Sequence, residues 1–227
     1  MLKLTPEELE ALQKIDTPTL CNAIETFNVR GRVEGFLGMS IRCLFAELGP
    51  MVGYALTVTV DSTTPDVTRD NDVWREWVIA MDRSPKPVVL VFQDVGPQPE
   101  KSAHVGEVMA TLARRLGVVG LVTNGGVRDR AEVRELGIHY FAPGSVSSHG
   151  NPRLLSVGQP VVIDGVRIKT GDLIHGDLNG ITLIPEVPVA ELLTAVGGIR
   201  CEEGKLMDYI KSPDFSVEGF FERKFKH

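Results

Sequence analysis

The stretch Gly120-Leu121-Val122-Thr123-Asn124-Gly125-Gly126-Val127-Arg128-Asp129-Arg130-Ala131-Glu132 reads as the end of a strand that passes through paired glycines into the first turn of a helix. The run Val118 to Val122 is apolar without alternation, the pattern of a strand covered on both faces. Working outward, Val88-Val89-Leu90-Val91-Phe92 is a second such run, and it ends in Gln93-Asp94-Val95-Gly96-Pro97. Helical spacing over about Val105 to Leu116 joins the two. A helix from about Arg128 to Leu136 leads to a short strand at Tyr140-Phe141-Ala142. This β-α-β-α-β order predicts an α/β fold with parallel strands and right-handed crossovers. Ligands of such sheets sit beyond the carboxyl ends of the strands, where Asp94 and the segment Asn124 to Asp129 fall.

The flanks are of a different kind. Thr5-Pro6-Glu7-Glu8 reads as a capping box with proline in the first helical turn, so Met1 to Glu8 looks like a helix start and not a signal peptide. Thr17-Pro18 opens a second helix with Leu20, Ala23, Ile24 and Phe27 on one face. Val52 to Val60 reads as a strand, and Val73, Trp74, Trp77, Val78 and Met81 as a helical stripe for which core packing is the simpler reading. Pro160 to Ile168 predicts a hairpin closed by Asp164-Gly165. Two further strands, Asp172 to Asp177 and Ile181 to Pro185, bracket Asn179-Gly180, and a helix follows over about Val187 to Val196. With no Pro-, Gly- or Ser-rich linker, the expectation is one α/β domain over residues 1–200. A helical tail over 201–227 would pack on the domain or on a neighbouring subunit.

Composition limits the function classes. The 227 residues are 43% apolar and 24% charged, enough for a sizeable core. A net charge of −6 and the absence of any Lys/Arg run argue against a nucleic-acid footprint. An anionic ligand stays open, because a few local donors outweigh distant charge. Cys21, Cys43 and Cys201 are odd in number and form no CxxC, which argues for a reducing cytoplasm and against a disulfide framework. No apolar stretch reaches the roughly 20 residues of a membrane span. His104, His139, His149, His175 and His227 show no zinc-protease spacing. Ser145, Ser147 and Ser148 lack a GxSxG elbow, and neither GxGxxG nor GxxxxGK[ST] occurs.

What remains is a constellation. Arg128 offers a planar fork for oxyanions, and Asp129 a hard oxygen ligand. Gly106-Glu107-Val108-Met109 lies at the start of the preceding helix, where free N–H groups and the dipole favour a carboxylate. Glu107 would bring a second carboxylate beside Asp129, a pair suited to magnesium. Each piece has a plainer reading: Arg128–Asp129 as a surface pair, Glu107 as a solvated residue, Gly125-Gly126 as a turn. Asp94 reads equally as an acid behind the site or a turn cap, and His175 as a residue near the site or a structural histidine.

Gly106-Glu107-Val108-Met109, followed by Gly-Gly-Val-Arg-Asp with Glu132 three places on, resembles the RraA-like family. Within it the pattern is most similar to the class II pyruvate aldolases of 4-hydroxy-4-methyl-2-oxoglutarate and 4-carboxy-4-hydroxy-2-oxoadipate. The resemblance covers roughly Ile15 to Val196, including the hairpin and Gly171-Asp172-Leu173, Gly176-Asp177, Gly180-Ile181 and Ile184-Pro185. It implies a layered sandwich of the swivelling β/β/α type with peripheral N- and C-terminal helices, assembled as a homotrimer or hexamer with sites at subunit interfaces. It also implies that the backbone of Gly106 to Met109 holds a pyruvate carboxylate, that Arg128 contacts substrate oxygens, that Asp129 holds Mg²⁺ or Mn²⁺, and that Glu107 orders water on the metal. Asn124 stands where many members carry an aspartate. The implied activity is retro-aldol cleavage of a 4-hydroxy-2-oxo acid to pyruvate, with oxaloacetate decarboxylation as a side reaction. The family also contains regulators that bind a ribonuclease and lack the acid at the position of Glu107. A non-catalytic binder, or a lyase for another 2-oxo or sugar acid, is thus the alternative.

Overall fold

A computed structural model describes residues 3–225. The outermost two positions at each end, among them the last residues of the expected tail, lie outside the described residues. The strands are β1 (Arg42–Cys43), β2 (Met51–Asp61), β3 (Val88–Asp94), β4 (Val118–Thr123), β5 (His139–Ala142), β6 (Arg153–Val157), β7 (Val161–Ile163), β8 (Val166–Ile168), β9 (Leu173–Asp177) and β10 (Gly180–Ile184). The helices are α1 (Pro6–Leu12), α2 (Thr17–Glu25), α3 (Asn71–Arg83), α4 (Glu107–Arg115), α5 (Arg130–Glu135), α6 (Val189–Lys211) and α7 (Val217–Lys224).

The predicted parallel unit is present: β2, β3, β4 and β5 pair in parallel in that order. The sheet is mixed, because β1 joins β5 antiparallel at one edge and β9 with β10 continue antiparallel from β2 at the other. β2 is the hub. Its first half pairs with β9, and its second half, from Val58 to Asp61, pairs with β6 with an irregularity at Thr59/Val60. The residues Arg-Leu-Leu-Ser-Val of β6 lack two-residue alternation, so the sequence does not announce this strand.

Period-two alternation sends the two faces of the sheet to different partners. Leu56, Val58, Val60, Leu90 and Phe92 face Trp77, Met81, Ala110, Ala113 and Val133 of α3, α4 and α5. Ala55, Val89 and Val91 face the β7–β8 hairpin and the strands β9 and β10 through Val161, Ile163, Ile168, Ile174 and Ile181. A third cluster packs α1, α2 and α6 over Val52, Tyr54 and Leu173. Helices, sheet and hairpin form the layered α/β sandwich that the sequence suggested, with N- and C-terminal helices at its periphery.

The capping box at Thr5 and Glu8 is formed, and Asp16 caps α2. The helix expected over Val187 to Val196 is longer. α6 continues to Lys211, so residue 200 falls inside a helix. α7 folds back on the end of α6, where Arg223 lies 3.7 Å from the Tyr209 ring centroid and Ser216 N–H donates to the Tyr209 hydroxyl at 3.0 Å.

Trp77 is fully buried between Trp74 and Phe92 in edge-on contacts. Trp77→Ala is expected to cost about 3–5 kcal/mol, read as a lower urea midpoint with an unchanged slope.

Candidate functional site

β3 and β4 end side by side, and their ends are tied together. The Asn124 side chain mimics a strand partner: Asp94 N–H donates to its Oδ1 at 2.7 Å, and its Nδ2 donates to the Asp94 carbonyl at 2.9 Å. Beyond Thr123 the chain bends at Asn124 and Gly125 and then runs extended through Gly126 and Val127. Gly126 N–H donates to the Ser102 carbonyl at 2.9 Å, and Val127 bonds with residues 144 and 146. Single bridges therefore continue the sheet past its named strands, from Ala103 to Gly126 and from Val127 to Ser145.

The paired glycines thus hold a bend at Gly125 and a strand-like bridge at Gly126, and a left-handed backbone is not what calls for them. Neither has a positive φ. A side chain on Gly125 would meet Ser102 Oγ at 2.4 Å and His104 Nε2 at 2.7 Å, and one on Gly126 would meet the Ser102 carbonyl oxygen at 2.8 Å. The glycines are there because the 102–104 segment lies directly against them.

That packing delivers the start of α4 to the Arg128–Asp129 pair. Tyr140, buried in β5, donates to the Val105 carbonyl at 2.8 Å and anchors the approach to the helix. Gly106 is the N-cap of α4. A Cβ there would lie 2.4 Å from Asp129 Oδ2 and 2.8 Å from Arg128 Nε, so only glycine lets the two side chains reach the helix end. Asp129 sits in the left-handed region, φ 54°, and its side chain leaves its own helix α5 uncapped. It accepts instead from Glu107 N–H, the first donor of α4, at 2.8 Å, with Arg128 Nε 3.4 Å from the same oxygen.

Arg128, Gly106 and Met109 line a cavity of about 430 Å³, together with Arg69, Trp74 and His104 among others. Asp129, Glu107 and Val108 are not in its wall; Val108 and Glu107 are exposed, Val108 by 79%. The Arg128 and Asp129 side chains are about one-third exposed. Three more of the expected residues, Asn124, His175 and Asp94, do not line the cavity either. His175 is buried under the N-terminal helices, its Nδ1 3.0 Å from Thr17 Oγ1 and its Nε2 3.2 Å from the Leu12 carbonyl, and burial lowers its pKa. Asp94 is buried behind the strand ends, where its Oδ1 accepts from Gly96 N–H at 2.8 Å, as a turn cap does.

The other Asp94 oxygen shows what sequence alone misses. Asp94 Oδ2 and His104 Nε2 are fully buried, unpartnered among the described residues, and 3.9 Å apart. His104 stacks on Phe92, and its Nδ1 lies 3.3 Å from Ser62 Oγ. Burial pushes this imidazole down to about 4, against the pull of Asp94. Ser62 lines a second cavity of about 760 Å³, so the His104–Ser62 contact stands between the two. Arg69 and His104 lie in no motif, and Trp74 carries the same helical spacing as the core tryptophan beside it.

Among the described residues no three His, Cys, Asp or Glu side chains gather into a ligand cage. The donors on hand are Asp129 Oδ1, free of hydrogen bonds among the described residues, and the exposed Glu107 carboxylate. Such a set suits a hard, water-rich cation such as Mg²⁺, which needs one or two carboxylates. It does not suit zinc, which takes three or four nitrogen, sulfur or carboxylate ligands.

Gly106→Ala is expected to push Arg128 and Asp129 off the helix start while the fold survives. Thermal melting should move little, whereas the Glu107 amide, freed from its bond to Asp129, should shift its NMR resonance. A second expectation concerns acid. Burial also lowers His139 to about 4. Both imidazoles stay neutral in the fold yet take a proton near 6.5 once unfolded. The stability they support is complete above pH 6.5 and is lost as pH falls toward 4, by at most about 1.4 kcal/mol per pH unit for each histidine. Urea midpoints measured across that window should drop, and His104→Gln should flatten the slope.

Comparison with known proteins fits this geometry. Protein DlpA of Legionella pneumophila is 30% identical over 134 residues, 58% of this chain and 22% of that protein. "Putative 4-hydroxy-4-methyl-2-oxoglutarate aldolase" of Halalkalibacterium halodurans is 32% identical over 85 residues, 37% of this chain and 40% of that protein. The matched stretch thus spans well under half the length of either relative. The structure of Streptomyces coelicolor RraAS2, described as an unusual member of the RNase ES inhibitor RraA family, superposes with a TM-score of 0.69 at 20% identity, covering 90% of this chain and 98% of that one. Residues 17–183 match the family described as Aldolase/RraA, and the chain belongs to this RraA-like family.

Proposed function

We propose that this chain is a metal-assisted aldolase that cleaves a 4-hydroxy-2-oxo acid and releases pyruvate. The observation that carries the reading is the meeting of the α4 start with Arg128 and Asp129 across a side-chain-free Gly106. It unites the first turn of a helix, a guanidinium and two carboxylates at the edge of one cavity.

Glu107 N–H is committed to Asp129, which leaves the N–H groups of Val108 and Met109 as first-turn donors for the substrate carboxylate. Arg128, in the cavity wall, faces the 2-oxo oxygen. When the C3–C4 bond breaks, its electron pair moves onto that oxygen as an enolate, and the fixed guanidinium stabilises the charge as it develops. The C4 hydroxyl proton leaves through water to the exposed Glu107 carboxylate, and C4 departs as a carbonyl. Protonation of the enolate at C3 then yields pyruvate. Mg²⁺ or Mn²⁺, held by Asp129 with Glu107 beside it, would supply Lewis-acid polarisation of the 2-oxo group when bound. Oxaloacetate reaches the same enolate by losing CO₂, so its decarboxylation belongs to the same site.

A second reading, a non-catalytic protein binder, is favoured by one feature: Phe215, Val217, Phe221 and Phe225 on and beside α7 are each about half exposed. No helix among the described residues is long and apolar enough to cross a membrane. Assembly as a trimer or hexamer and a cytoplasmic location are parts of the proposal.

Pyruvate release from 4-hydroxy-4-methyl-2-oxoglutarate and from oxaloacetate, with Mg²⁺ and with chelator, tests the reading. Metal-dependent release is the expected result, and silence on both substrates overturns it. Arg128→Ala should cost about 3 kcal/mol in kcat/KM, roughly the loss of one oxyanion donor. Asp129→Asn should abolish the dependence on added metal.

A further inference from the structure

The cavity is strongly one-sided in charge. Its wall holds Arg69, Asn71, Trp74, Arg128 and His149, and no aspartate or glutamate, in a chain whose net charge is −6. Arg128 is partly neutralised by Asp129 at 3.4 Å. Arg69 is not: among the described residues it makes no ion pair and no hydrogen bond. The acid next to it in sequence, Asp70, is turned away to cap α3, accepting from Asp72 N–H at 2.9 Å and Val73 N–H at 3.4 Å. The Arg69 guanidinium carbon stands 5.9 Å from the Trp74 ring centroid, a cation–π distance. Trp74 is itself braced edge-on against the fully buried Trp77. The Arg69 guanidinium thus stands against the indole while it has no acidic partner among the described residues. The starts of two helices also line this cavity, α3 at Asn71 and α4 at Gly106, each with a first-turn N–H already taken by Asp70 or Asp129.

Two arginines contributed by separate segments, one before α3 and one after β4, give a single cavity two anion-binding points. A volume of about 430 Å³ lies within the ordinary range for a small ligand. One end of a 2-oxo acid satisfies Arg128 and leaves the second arginine without a counter-charge. A guanidinium at a partly enclosed wall contributes most when it meets a carboxylate directly.

We infer that Arg69 is a specificity-determining residue that holds a second carboxylate, at the end of the substrate remote from its 2-oxo acid group. This rests on the aldolase reading for the identity of the near end. A monoanionic 4-hydroxy-2-oxo acid fills the same space without engaging Arg69.

The test separates the two claims. Calorimetric titration with 2-oxoglutarate and with 2-oxopentanoate compares two non-cleavable acids that differ by a terminal carboxylate in place of a methyl. The unmodified protein, with Mg²⁺ present, should favour 2-oxoglutarate by about tenfold. Arg69→Gln should erase that preference, and Arg69→Lys should restore part of it. Raising the salt concentration should shrink it. Equal affinity for the two acids, no binding of either, or a preference that survives Arg69→Gln overturns the inference. Pyruvate release from 4-hydroxy-2-oxoglutarate against 4-hydroxy-2-oxopentanoate then reads the aldolase claim on its own. A preference for the dianion in binding, with no release from either substrate, keeps Arg69 as an anion reader and removes the aldolase.

Discussion

The site depends on one contact, the approach of the Asp129 carboxylate and the Arg128 guanidinium to the bare Cα of Gly106. Everything nearby serves to make that approach possible. Asn124 ties the ends of β3 and β4, Gly125 and Gly126 let the 102–104 segment lie against the extension of β4, and Tyr140 fixes the carbonyl one residue before the N-cap. A charge-assisted bond from Glu107 N–H to Asp129 then closes the junction. Such a bond is modest in net stability, so its main effect is positional. It spends one first-turn donor of α4 on a protein carboxylate and presents the next ones to a ligand.

Electrostatics around this junction run against the overall charge. The chain is acidic, yet the acids near the cavity are occupied or displaced: Asp129 on α4, Asp70 on α3, Asp94 behind the strand ends. Sequestering carboxylates in this way leaves a positive wall without a basic protein. The buried pair of Asp94 and His104 is the costly element. Two buried polar atoms 3.9 Å apart stand beyond hydrogen-bond distance of each other. The neutral imidazole is the form that such an interior tolerates.

The fold was largely legible from pattern. Unbroken apolar runs at 88–92 and 118–122 marked strands covered on both faces, and Asp164-Gly165 marked the hairpin, because these signals are local. β6 was not legible: its residues lack alternation, and its pairing with β2 is set by a partner roughly a hundred positions away. The length of α6 was understated because its second half packs little into the core, which removes the apolar stripe that periodicity detects. At the site, Gly106, Arg128 and Asp129 were visible as a motif, and the structure brings them together. Arg69 and His104 were invisible, since an isolated arginine in a loop and a histidine without a spacing partner look the same whether or not they border a cavity. The paired glycines were noticed for only part of the physical reason: the chain does bend at Gly125, and steric crowding by Ser102 and His104 excludes a side chain as well.

The position of β2 at the centre of three pairings has a consequence for how the chain is made. Met51 to Tyr54 find their antiparallel partner only at residues 173–176, and Val58 to Asp61 only at 153–157. A growing chain that has reached β5 can close the parallel unit of β2 to β5, but the far side of β2 still presents bare N–H and C=O groups. That unpaired margin is a template for any other extended segment until the last third of the polypeptide arrives. Contacts this distant in sequence also slow the search for the native state. Chains shortened before β6 should therefore emerge with parallel strands formed and a sticky flank, prone to associate through the edge that β6 and β9 normally seal.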